Sequence, residues 1–330
     1  MAEATHDLLF EEYVRLMGDG IDRVRIKGVP PLCKTDALLV VGMQADFVPQ
    51  DPVLNPEGGR FGVTGGANIV GTVVDLIDAA VASGATVCAT RAYHPRDFSA
   101  FTTQGGPFPP HCVQGTAGSR FLPPVAAALA NGVRTAGRTK VYVAFKGLHE
   151  DKTRMPQGDG AKAAKELNSM GSSLILKQSA LLGGVGHEEE VDVDAPPDVL
   201  AVASDGVERG RLSLQQALGA SDGGGPRRLF VCGLPLDYAV VETCVQAAAC
   251  GYETYLVYDA ARAAHMPGIG KVGSGFLVDP VSSLIPRLEP VGVRAVTAGA
   301  LLGKDASIVC GLDRSISAVL SDARDGAEQD

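Results

Sequence analysis

Three places along the chain put chemistry-bearing residue types directly behind apolar runs. Asp46 follows the run 37–41 across Gly42-Met43-Gln44-Ala45, and Lys146 ends the run 141–145. A strand buried on both faces reads as an unbroken apolar run, and its carboxyl end delivers the next polar side chain into the crevice of an open α/β sheet. A carboxylate and an ammonium delivered there can move protons, and their opposed charges would hold each other ionised. The same pair has a structural use, because removing one member leaves the other buried and unpaired. Asp46 has a second reading as a turn residue that caps the loop before Pro49. The third place is 228–251, where the run 229–232 meets Gly233 and a helix pattern follows. In that pattern Asp237 reads as the N-cap, Val240, Val241, Cys244, Val245, Ala248 and Ala249 recur at helical spacing, and Gly251 reads as the C-cap. The turn at 233–239 is therefore a site where ligand chemistry is expected.

The segment 233–240, Gly-Leu-Pro-Leu-Asp-Tyr-Ala-Val, resembles the nucleophile turn of the isochorismatase-like cysteine hydrolases, nicotinamidases above all, which typically read Gly-[Ile/Val/Leu]-Ala-Thr-Asp-Tyr-Cys-Val. Ala239 stands at the cysteine position. Gly-Met-Gln-Ala-Asp-Phe at 42–47 resembles the family's Asp-x-Gln-x-Asp-Phe; the resemblance assigns the general base to Asp46 and leaves Gly42 or Met43 at the first acid. Arg91-Ala92-Tyr93-His94-Pro95 and Pro109-Pro110-His111-Cys112-Val113-Gln114-Gly115-Thr116 resemble the metal-site segments, in which one Asp and two His hold a divalent ion. Lys146-Gly147 matches the family's Lys-Gly. The resemblance spans most of residues 36–300, four motifs in the family's order.

This resemblance implies an α/β fold, three-layer α/β/α with a mostly parallel central sheet. It also implies an amide hydrolase in which cysteine attacks the carboxamide carbon and water hydrolyses the thioester. Ala239 removes that attack. His94 and His111 persist while Ala92 replaces the metal carboxylate, so a divalent metal such as zinc would bind weakly, or both histidines serve as hydrogen-bonded loop residues. At Pro235 the family has a cis peptide whose N–H joins the oxyanion hole. Proline favours the cis bond but has no N–H, and a lost oxyanion donor costs about 3 kcal/mol in other enzymes. The expectation is a degenerate member, a pseudoenzyme acting as a binding or structural subunit of a larger assembly. The alternatives are a nicotinamidase-like amide hydrolase inactivated by loss of its cysteine, and a small-molecule sensor that uses the residual pocket.

The elements that would position these residues read as alternating strands and helices: strands at 37–41, 86–90, 141–145, 229–232, 253–258 and 294–297, a helix at 68–83 ended by Gly84, a Gly/Pro-rich loop at 263–280 and a helix at 280–288. An N-terminal arm is expected at 1–35, the main domain at 36–303 with an enlarged insertion at about 148–226, and a tail at 304–330. Within the insertion, helices at 160–170 and 212–218, strand-like runs at 173–177 and 199–203, and a solvated acidic loop at 187–190 are expected. The arm and insertion are the candidate contact surfaces for other protein subunits, or for a second copy in a homo-oligomer. A net charge of -9 without a basic run excludes nucleic acid and anionic membranes as principal partners. No apolar span of membrane length and no secretion signal are read, which points to the cytoplasm. Seven cysteines without a CxxC pair read as reduced thiols, with Cys244 as core filler because its offset of five residues turns it away from Ala239.

Overall fold

Strand β1 (Asp36–Val41) is buried at all six positions and lies at the centre of the sheet. The computed structural model describes residues 21–26, 28–106, 108–134, 140–147, 179–183, 192–194, 214, 218, 225–264 and 280–303. Its seven-stranded sheet has the order β4-β3-β2-β1-β5-β6-β7. β2 (Thr86–Ala92), β3 (Val141–Lys146), β5 (Arg228–Gly233), β6 (Glu253–Ala261) and β7 (Arg294–Val296) run parallel with β1. Only β4 (Ser179–Gly183), on the edge beside β3, is antiparallel. The chain winds outward from β1 through β2 and β3, then returns to the other side of β1 at β5. The strand order reverses between β1 and β5, which places the crevice beyond their carboxyl ends.

Helices cover both faces, giving the expected three layers. On one face, α1 (Val70–Ser83) and α2 (Pro123–Arg134) pack with Leu38, Val40, Val87 and Phe230. On the other, α3 (Val241–Ala249) and α4 (Pro280–Leu288) pack with Ala37, Leu39, Leu229 and Val231. The short α5 (Ala298–Leu301) joins the first face. The alternation of strand residues between two apolar layers explains why the strands read as continuous runs rather than alternating ones. α1 ends on Gly84, whose φ of +74° is the left-handed C-cap conformation expected there. With its leading turn, Gly66–Ser83 is long and apolar enough to cross a membrane by length and composition, though Asn68, Asp75 and Asp78 interrupt its apolar residues. Here it is a core helix, with Val73, Leu76, Ile77 and Ala80 fully buried.

The described part of the N-terminal arm belongs to this body. Ile21 and Val24 are buried in the second layer, and the Ile26 N–H donates to the Ala295 carbonyl at 3.0 Å. Val29 and Leu32 join the first layer, so the described residues of 21–35 contribute to both apolar clusters. Of the insertion, Asp194 accepts the Phe121 N–H at 2.8 Å and lies 3.9 Å from the buried Arg91, while Leu214 and Leu218 are helical and buried. The expected elements at 160–170, 173–177, 187–190 and 199–203, the rest of 212–218, the Gly/Pro-rich loop after 264 and the tail from 304 lie outside the described residues. None of the six described cysteines is in a disulfide, and Cys88, Cys112, Cys232 and Cys244 are buried; Cys33 is the exposed exception.

Candidate functional site

The carboxyl ends of β1, β2, β3 and β5 enclose a cavity of about 100 Å³, lined among others by Gly42, Ala92, His94, His111, Lys146, Pro235 and Ala239. Positions up to 197 residues apart in the chain thus converge, as the motif order predicts. Much of the remaining wall is aromatic, from Phe47, Phe61, Phe98, Phe108 and Tyr238, beside the polar Gln44 and Thr90 and small or aliphatic residues.

Asp46 is the exception. It sits in a 3₁₀ turn (Ala45–Phe47) that rotates its side chain out of the cavity wall. Its Oδ2 accepts the Cys112 N–H at 2.7 Å, its Oδ1 lies 3.4 Å from the Arg60 N–H, and a Cβ built on Gly118 would sit 2.0 Å from Oδ2. The carboxylate is thus packed between its own loop and residues 112–118. It organises the loop that carries His111, and it is not placed as a general base. The residue that lines the cavity from the end of β1 is Gly42.

Gln44, a motif residue whose role the sequence alone does not assign, does the positioning here. Its Oε1 accepts the Ala92 N–H at 2.7 Å, and its Nε2 donates to the carbonyls of Ala92 at 2.8 Å and Ser119 at 2.7 Å. A fully buried amide must be satisfied on both ends. This one extends the β1–β2 pairing past the last strand residues and fixes Ala92 at the cavity wall. The available signal was a glutamine placed just behind a buried strand.

The Leu234–Pro235 peptide is cis, as expected. A π-helical turn (Leu236–Val240) then leads into α3 and presents Ala239 to the cavity. Asp237 does not cap α3. Its carboxylate, buried within the turn, accepts the Ala264 N–H at 2.8 Å and so ties the turn to the loop after β6. No cysteine among the described residues lines the cavity. Burial raises the thiol pKa of Cys112, Cys232 and Cys244, so none of them is an activated nucleophile.

The two histidines meet at a ring-centroid distance of 5.3 Å. His94 Nδ1 is 3.2 Å from the Gly147 carbonyl and His111 Nδ1 is 2.7 Å from the Pro109 carbonyl, which leaves each Nε2 as the ligating nitrogen. A metal centre needs more than that pair. No cluster of three or more His, Cys, Asp or Glu suited to a metal exists among the described residues, and the wall beside His94 is the methyl of Ala92. The residues present do not fit the divalent ion that the resemblance implies.

Burial lowers the pKa of both imidazoles, assisted for His94 by the proximity of His111 and Lys146, so both are neutral at pH 7. Burial also lowers the Lys146 ammonium to about 8, which leaves it charged at pH 7; its Nζ lies 5.9 Å from the centroid of the Tyr238 ring. A consequence for stability follows from the histidines. Below about pH 6.5 the unfolded state takes up protons that the native imidazoles still refuse, so stability falls as pH drops from 6.5 towards the lower native values. Denaturant titrations are expected to show lower stability at pH 5 than at pH 7, and replacing both histidines with glutamine should flatten that difference. An unchanged slope in the double variant would show that other groups carry it.

The Isochorismatase domain family matches residues 36–146. A nicotinamidase/pyrazinamidase of Mycobacterium tuberculosis is 36% identical over 121 residues, covering 36% of this chain and 60% of that protein. The match thus spans less than two thirds of the relative's length. Among solved structures, the pyrazinamidase of Pyrococcus horikoshii in complex with zinc is 23% identical, covering 80% of this chain and 99% of the other, with a TM-score of 0.47. PnC1 from L. infantum in complex with nicotinate is 24% identical, covering 83% and 98%, with a TM-score of 0.49.

Proposed function

We propose, from the match of residues 36–146 to the Isochorismatase domain family, that the protein is a non-hydrolytic member of the group, a pseudoenzyme that keeps the ligand cavity as a binding subunit. One observation carries this reading: the cavity wall offers Ala239, Ala92 and Gly42 where attack, metal binding and proton transfer would need a thiol or carboxylates. Alanine has no lone pair to attack a carbonyl, and Lys146 with two neutral imidazoles cannot replace it as an anionic nucleophile. Pro235, cis and without an N–H, further removes one oxyanion donor. Nicotinamide or a similar small aromatic ligand would bind without turnover. The N-terminal arm and the 148–226 insertion would meet other protein subunits or a second copy.

The test is ammonia release from nicotinamide and pyrazinamide by the purified protein and by its Ala239→Cys variant. Neither is expected to exceed the buffer rate, because the thiol alone restores neither a base nor a metal site. Removal of a nucleophile or its base typically costs on the order of 10⁴ to 10⁶ in turnover. Turnover by the protein itself would end this reading. Rescue by Ala239→Cys alone would favour an amide hydrolase that lacks only its cysteine.

A further inference from the structure

We infer that the chain has a second binding site, at the amino ends of β1, β2 and β3, for a phosphate group, free or carried as a monoester by a small polyol. A pocket of about 190 Å³ opens there, at the opposite end of the sheet from the cavity beside Ala239. Its walls come from Asp36 at the start of β1, Thr86 at the start of β2, and Lys140 and Tyr142 on either side of the first residue of β3.

Charge selects the ligand. Lys34, just ahead of β1, and Lys140, just ahead of β3, both border the pocket, although they lie far apart in the chain. Neither ammonium is engaged in an ion pair or hydrogen bond among the described residues. Among those residues the one acid on the wall is Asp36, and it is already saturated: its oxygens accept two Arg228 N–H bonds and the Cys33 N–H, and the guanidinium cancels its charge. α1 ends at Gly84 on the rim, and the partial negative charge of a helix carboxyl end, about half a unit, is outweighed by two ammonium groups. A cation is therefore disfavoured, and a doubly charged anion balances the wall.

Hydroxyl groups supply the directional contacts. Tyr142 is 6% exposed, yet no hydrogen bond engages its phenolic O–H among the described residues, and burial raises its pKa to about 12 and so keeps it protonated. A buried tyrosine hydroxyl normally has a partner. The space that Tyr142 borders is this pocket. The hydroxyl of the half-buried Thr86 is likewise unengaged among the described residues, and Thr35 adds a third on the same wall. Phosphate oxygens accept from ammonium and hydroxyl donors together, and the charged pairs give the stronger bonds. With nearly twice the volume of the cavity beside Ala239, the pocket has room for a short polyol as well.

Titration calorimetry at about pH 7.5, where phosphate is mostly a dianion, tests the inference with inorganic phosphate, glycerol 1-phosphate and glycerol at fixed ionic strength. Both phosphates are expected to bind saturably at one site and glycerol is not; the tighter phosphate identifies a free ion or an ester as the occupant. Lys34→Met and Lys140→Met, changes at exposed side chains, should each weaken phosphate binding about tenfold, the loss expected for one charge-assisted hydrogen bond. Tyr142→Phe should weaken it roughly threefold to tenfold without lowering the melting temperature, since no hydrogen bond within the protein is lost. No saturable binding of either phosphate, glycerol binding as tightly as its phosphate, or an affinity unchanged in both lysine variants or in Tyr142→Phe would each overturn the inference. Ammonia release from nicotinamide bears on the cavity at the other end of the sheet and leaves this test untouched.

Discussion

Replacing Asp36 with alanine is expected to lower the unfolding free energy by about 3–5 kcal/mol, the usual consequence of stranding one half of a buried ion pair. Asp36 is 1% exposed at the start of β1. Its Oδ1 accepts the Arg228 Nε–H at 2.8 Å, and its Oδ2 accepts both an Arg228 terminal N–H at 2.5 Å and the Cys33 N–H at 2.8 Å. Arg228 begins β5 and also donates to the carbonyls of Pro30 at 3.0 Å and Pro31 at 3.1 Å. One fork therefore clamps the two central strands together and holds residues 30–33 across their ends. The same contact raises the guanidinium pKa, with the Asp36 hydrogen bonds as the leading cause. Arg228→Lys should lose much of the clamp while keeping its charge, since an ammonium cannot make two parallel bonds. Urea unfolding checks both variants, and a loss below about 1 kcal/mol for Asp36→Ala would place the pair among ordinary surface bridges.

The second large effect is expected where an acid is returned to the cavity wall. Gly42→Asp should destabilise the protein by roughly 3 kcal/mol or more and should not create activity, alone or with Ala239→Cys. Gly42 has a φ of +60°, and a Cβ built there would lie 2.4 Å from the Leu234 carbonyl oxygen. The left-handed conformation alone costs a side-chain-bearing residue about 1–2 kcal/mol. The obstructing atom is backbone, so relief requires moving the turn between β5 and Pro235, the same turn that places Ala239. The absent acid is thus written into the backbone path as well as into the side chain. Thermal unfolding and ammonia release measured on the same preparation check the prediction. A Gly42→Asp variant as stable as the parent would show that the turn accommodates a carboxylate readily.

What could be read from the sequence follows the range of the forces involved. β1, β3 and β5 were legible because burial on both faces leaves a continuous apolar run, and the structure extends none of them by more than one residue at an end. Gly84 and Gly251 were legible as helix stops because a left-handed cap demands glycine locally; their φ values are +74° and +87°. Asp46 was misplaced for the opposite reason. An acid behind an apolar strand predicts delivery to the crevice, but one 3₁₀ turn decides which way it points, and its partners Cys112 and Gly118 lie 66 and 72 positions away. Asp237 repeats the lesson, since its spacing suits an N-cap but its partner is the Ala264 N–H on another loop. The edge strand β4 had no signature of its own, because its antiparallel pairing with β3 is a tertiary choice that its few residues do not encode.

The most direct measurement follows nitrogen-15-labelled nicotinamide by NMR in the presence of excess protein. The account predicts resonances broadened by binding in the cavity and an amide signal that persists undiminished. Protein-dependent appearance of labelled ammonium, at a rate abolished by a change at Lys146, would contradict it.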